Sequence, residues 1–155
     1  MTAPTLDLMA AHPFLAGMSR QQLDRLARWS HRSLIHAGGR LFSEGGRAER
    51  FWLIRDGQVA LDVHVPGRGD VLVETLGPGT VLGWSWLFPP YRWQFGATAL
   101  AHTHAIELDG AGVRALCEED PELGRELYRR FIAVVVDRLQ ATRVRLLDLY
   151  AGDQS

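Results

Sequence analysis

"HAGGRLFSEGGRAERFWLIRDGQVAL", residues 36–61, is the stretch that decides the fold. Two Gly-Gly pairs, 38–39 and 45–46, and an Asp56-Gly57 pair cut it into short pieces. Glycine tolerates positive φ and close backbone approach, so these pairs mark turns. The piece "RFWLIR", 50–55, is aromatic and branched, and "QVALDVHV", 58–65, alternates apolar with polar residues. Both compositions favour strands. Asp-Gly between two such runs predicts a hairpin at 56–57.

The same pattern continues outward. "PGRGD" (66–70) is a turn and "VLVETL" (71–76) a strand. "LGPGTVLG" (76–83) is a Gly/Pro turn running into a strand, and "ATALAHTHAIELDG" (97–110) alternates. Short, regularly spaced strands with turn signals imply a sandwich or jelly roll. Upstream, Ser19 is an N-cap ahead of a helical stripe of Met18, Leu23, Leu26, Ala27 and Trp29. Beyond Asp109 a short helical run stops near Pro121, and a long one follows. Its apolar residues Leu127, Phe131, Val134, Val135, Leu139, Thr142 and Leu146 recur at three- and four-residue steps, as in a helix–helix seam. The seam fits either a partner helix or the domain body: the chain's own sandwich is the plain reading for its first half, and another chain is at least as good a reading for its second. The expectation is one α+β domain over 1–155. It has an N-terminal helix at 19–31, an antiparallel β jelly roll at 33–108 and C-terminal helices at 110–150.

Composition narrows the function. The 155 residues carry a formal net charge of −1, which argues against a broadly basic nucleic-acid-binding face. Every basic side chain other than histidine is arginine. A single cysteine, Cys117, excludes an internal disulfide framework and fits a reducing cytoplasm. The N-terminus lacks a basic, then apolar, leader pattern, and no apolar run is long enough to cross a bilayer. No membrane partner and a cytoplasmic location are expected.

Helix, turn-rich roll and long terminal helix together resemble the cyclic-nucleotide-binding domain of the Crp/Fnr regulators. The resemblance is carried by Gly39, Glu44-Gly45, the strand Phe51 to Ile54, Gly57 with Val59, and "LGPGTVLG". It implies that the segment after Gly83 is a phosphate-binding cassette. In that family a Glu follows the Gly and receives the ribose hydroxyl, and an Arg-(Ser/Thr)-Ala triplet closes the segment. Backbone N–H groups and the Arg fork hold the cyclic phosphate.

Here "GWSWLFPPYRWQFGA", 83–97, departs from that pattern. Gly83 and Ala97 match, but Trp84 stands in place of the Glu, Phe95 in place of the Arg and Gly96 in place of Ser or Thr. Losing the Arg removes a charge-assisted pair of roughly 2–5 kcal/mol. Three readings of the segment remain. In the first, Trp84, Trp86, Phe88, Trp93 and Phe95 plug the old pocket, leaving an interaction module. In the second, an aromatic pocket rimmed by Arg92 takes a planar, apolar or weakly anionic ligand. In the third, Arg92 and Ser85 replace the missing contacts and cAMP or cGMP still binds.

No catalytic constellation, metal site or cofactor is expected. His102 and His104 share one face of an expected strand, and the plain reading is that they face solvent. They are the only hint of a cupin-like metal enzyme, the alternative from another class, and no haem ligand stands out. Crp/Fnr transcription factors carry a helix-turn-helix after the long helix, and only "AGDQS" follows Tyr150 here. Direct DNA binding is therefore not expected. The resemblance implies a non-enzymatic regulatory or sensor module, an unknown protein partner, and a homodimer through the long helix, with Leu127, Phe131, Val134, Val135, Leu139, Thr142 and Leu146 as its interface.

Overall fold

The computed structural model describes residues 4–153. Eight strands form two four-stranded antiparallel sheets. One has the order β1 (Ser30–Ile35), β8 (Thr103–Asp109), β3 (Arg50–Asp56), β6 (Val81–Leu82). The other has the order β2 (Arg40–Phe42), β7 (Gly96–Ala99), β4 (Val59–Val65), β5 (Gly69–Leu76). Helices α1 (Thr5–Ala11) and α2 (Arg20–Ala27) precede the roll, and α3 (Gly110–Glu119) and α4 (Pro121–Asp153) follow it. Leu53 and Ile106 from one sheet and Leu61 and Ala97 from the other share one buried core with Leu26, Val113 and Leu127 of the helices. The jelly-roll expectation is thus met.

The hairpin expected at Asp56-Gly57 does not form. β3 already pairs with β8 and β6, so β4 crosses to the other sheet and pairs with β7 and β5. Gly57 makes the corner at φ 100°, where a Cβ would sit 2.6 Å from the His102 carbonyl oxygen. Asp-Gly encodes the tight turn but not which strand pairs with which. The hairpin is instead β4–β5, around Gly67, with Arg68 N–H donating to Val65 O at 2.9 Å.

The N-terminal helix is shorter than 19–31. Ser19 caps α2 in a reciprocal box with Gln22, as its side chain implies, but the helix ends at Ala27. From Ser30 onward the chain is paired to β8, so Trp29 leaves the helical stripe and lies over Gly112 of α3. Helix α1 and the 3₁₀ turn Pro13–Leu15 carry no strong sequence signal. His12 fixes them: its Nδ1 accepts from Phe14 N and its Nε2 lies 2.9 Å from Ile54 O.

The expected partner seam on α4 is corrected at its first residues. Leu127 and Phe131 are 0% and 1% exposed, inside the chain's own core, and Val134 is half-buried against it. Those side chains are consumed within the domain. Val135, Leu139, Thr142 and Leu146 are exposed. Among the described residues, no helix is long and apolar enough to cross a membrane.

Candidate functional site

The cassette starts from a turn that the sequence dictates. Gly79 takes φ 85° and donates to Ile54 O, and two residues of β6 then pair with Trp52 and Leu53. Gly83 turns the chain again at φ 99°, beneath the Trp93 ring, where a Cβ would come within 3.0 Å. A single 3₁₀ turn, Ser85–Leu87, follows.

The five aromatic side chains expected to plug the pocket split three ways. Trp86 is core: it stacks on Phe51 at 4.5 Å, meets Phe131 edge-on at 5.4 Å, and donates Nε1–H to Gly83 O at 3.1 Å. Trp93 is core on the other side, stacked on Phe42 at 3.8 Å. Phe88 is 54% exposed. Only Trp84 and Phe95 meet within the cassette, edge to face at 5.4 Å. The plug of five rings is therefore a plug of two. The reason is the 3₁₀ turn: at three residues per turn, residues two apart, such as Trp84, Trp86 and Phe88, point to different sides.

Gly96 faces away from those rings. Arg40 donates to both Asp62 oxygens at 2.6 and 3.1 Å, and a Cβ on Gly96 would collide with this pair. Ala97, on the other face of β7, is fully buried. The segment is braced from behind by Arg114 of α3, which donates to Trp86 O and stacks 4.2 Å from the Tyr91 ring. Ser85 is buried at the start of the 3₁₀ turn.

Arg92, expected at the pocket rim, is exposed. Its backbone bridges Arg47 and its guanidinium reaches toward Gly45 O at 3.5 Å. The cation beside Trp84 is instead Arg138 of α4, centred 4.6 Å from the indole ring. Arg138 donates Nη2–H to Val81 O at 2.7 Å, and its Nε lies 3.7 Å from a Glu74 oxygen. Its side chain is only 11% exposed, and Nη1 is buried without a hydrogen-bond partner among the described residues. Burial holds its pKa below the ordinary arginine value, and the nearby Glu74 carboxylate partly offsets this.

Sequence reasoning missed Arg138, Glu74 and Arg114. A signal for the first was present: Leu127, Phe131, Val134 and Arg138 follow at steps of four, three and four, so a lone charge stands in the inward stripe. Two grooves of about 500 Å³ flank this region. One lies between Phe14, Glu74, Val134 and Arg138, and the other is almost wholly apolar between Trp84, Phe88, Ile132 and Val136.

His102 and His104 are exposed as expected but do not share a strand. His102 lies in the turn before β8, where its Nδ1 accepts from Ala37 N at 3.1 Å. Among the described residues, no three His, Cys, Asp or Glu side chains gather as a metal site. Cys117 is buried, which pushes its thiol pKa up, and its neighbour Tyr128 is pushed up to about 12 by the same cause.

Comparison with known proteins matches this architecture. Residues 33–120 match the family model of the cyclic nucleotide-binding domain. A CRP-like cAMP-activated global transcriptional regulator of Mycobacterium tuberculosis is 28% identical over 116 residues. That alignment covers 75% of this chain and 50% of the regulator, so this chain spans about half the length of the relative. Among solved structures, a protein of Geobacter metallireducens GS-15 assigned to the cyclic nucleotide-binding proteins superposes with TM-score 0.79 at 26% identity, covering 88% of this chain and 99% of that one. The catabolite activator protein of Thermus thermophilus has the same fold, with TM-score 0.70 at 24% identity over 90% of this chain and 63% of that one.

Proposed function

Since this chain belongs to the cyclic nucleotide-binding domain family, we propose that it is a regulatory module whose cassette no longer serves a cyclic nucleotide. It works through protein contacts, as a homodimer built on α4 and with a further protein partner. Regulation, not catalysis, is what carries over from the M. tuberculosis regulator. The lone buried thiol of Cys117 supports a reducing cytoplasm as its location.

The observation that carries this reading is the Trp84–Phe95 contact. Two apolar rings touch at the positions where the family resemblance implies a Glu for the ribose and an Arg for the phosphate. A phosphate there would lose water without gaining the charged fork that repays desolvation. The decisive experiment is calorimetry of the full chain with cAMP and then cGMP. Silence up to millimolar nucleotide is expected. Micromolar binding of either would overturn the reading and make the protein a nucleotide receptor with an unusual pocket.

Dimerisation is supported by the outer face of α4. Tyr128, Ile132, Val135, Leu139, Thr142, Leu146 and Leu149 alternate at steps of four and three, and all are exposed. That 3.5-residue period is the one that two helices bury against each other. It is offset by one position from the inner stripe, so α4 presents one apolar face to its own core and another outward.

A further inference from the structure

The polar and aromatic groups at the guanidinium of Arg138 are electron-rich. The indole face of Trp84 lies on one side, the Val81 carbonyl accepts at 2.7 Å, and the Glu74 carboxylate lies 3.7 Å away. Asp137 lines the same groove. A phosphate entering here would meet a negative ring face and two carboxylates, so the local field opposes it.

We propose that Trp84, Val81 O and Glu74 form a guanidinium receptor, occupied by Arg138 of the chain's own long helix, and that this occupant sets where α4 leaves the domain. It deepens the reading of the cassette as closed to nucleotide and rests on that reading for the role of the site. The chemistry selects a guanidinium over an ammonium. A planar cation stacks on an indole while its edge still donates to a carbonyl, and its weak hydration lowers the cost of burial. An ammonium is strongly hydrated and has no face to stack. The position along the helix supports the second half of the proposal. Every residue from Leu139 to Leu149 is exposed, so Arg138 is the last side chain of that stretch to be held by the roll.

The test is hydrogen exchange on the full chain without nucleotide, comparing wild type with Arg138→Ala. Amides of residues 134–142 are expected to exchange roughly ten- to thirtyfold faster in the variant, the size of one desolvated cation–π contact. In the same variant the Trp84 indole resonance is expected to shift on titration with ethylguanidine, which refills the vacated receptor, and not with ethylammonium at equal concentration. Arg138→Lys is expected to stay fast. Unchanged exchange in Arg138→Ala, or equal shifts of the Trp84 resonance with both cations, overturns the proposal. If Arg138→Ala does not fold, Trp84→Leu tests the contact from its other side, with faster exchange over the same amides expected and unchanged exchange overturning it. Because no nucleotide is present, failure here is separate from a positive result in the calorimetric experiment.

Discussion

Arg40 and Asp62 are joined by two hydrogen bonds, 2.6 and 3.1 Å long, directly over the Cα of Gly96. Asp62 faces Gly96 across the β4–β7 ladder, and Arg40 also donates to Thr98 at 2.8 Å. The bonds to Asp62 hold the Arg40 pKa above its ordinary value. The pair occupies the space that a Ser or Thr side chain would need.

Gly96→Ser, which restores the family's residue type, is therefore expected to destabilise this chain. The long Arg40 side chain can move aside, so the cost is the partly exposed ion pair and not a backbone clash. About 1 kcal/mol is expected, seen as a fall of roughly 2–4 °C in Tm. In an Arg40→Ala background the same substitution should cost much less, because the interaction it breaks is already gone. Equal costs in both backgrounds would show that the pair is not what excludes the side chain.

Trp86 and Phe88 are two residues apart and are predicted to differ sharply. Trp86→Ala empties the space between Phe51 and Phe131 and should cost about 3–5 kcal/mol by urea unfolding. Phe88→Ala removes a mostly exposed ring and should change stability by less than about 0.5 kcal/mol. Comparable losses at the two positions would contradict their placement on opposite sides of the 3₁₀ turn.

The roll was legible in the sequence because its turns are written in glycine. Gly45, Gly57, Gly79 and Gly83 each take positive φ where the chain bends, and the strands between them are β-formers. Pairing was not legible. A tight turn at Asp56-Gly57 fits a hairpin and a sheet-to-sheet corner equally, and the choice depends on β8, some 50 residues away. The cassette was legible as a departure from a pattern, through Trp84 and Phe95. Its actual cation was not, because Arg138 meets Trp84 only through the packing of α4 on the roll, 54 positions apart. Arg92 is near Trp84 in sequence, but an isolated backbone bridge to Arg47 carries it elsewhere.

His12 is expected to make stability depend on pH. Its imidazole is buried, and desolvation lowers its pKa below the ordinary value near 6.5, only partly offset by the bond to Ile54 O. Below about pH 6.5 the unfolded chain binds a proton that the folded chain does not, so stability falls as pH drops. The contribution is complete above that value and is lost progressively down to the lowered folded pKa. His12→Gln should flatten this part of the stability curve between pH 5 and 7, measured by urea unfolding at each pH. A slope unchanged by the substitution would assign the dependence to other groups.

Phe131 and Leu139 separate the inward and outward faces of α4. Phe131 is packed between Phe14, Phe51 and Trp86, and Leu139 is 67% exposed within the outward stripe. Phe131→Ala should cost about 3–5 kcal/mol of domain stability without choosing between monomer and dimer. Leu139→Glu should do the opposite. A carboxylate in the middle of a helix–helix seam would be desolvated on pairing, so the protein should sediment as a monomer, with the roll intact by near-UV circular dichroism. Persistence of a dimer after Leu139→Glu would move the interface off this stripe. Trp84, Phe88 and Val136, on the far side of the apolar groove that borders the stripe, would then be the next residues to substitute.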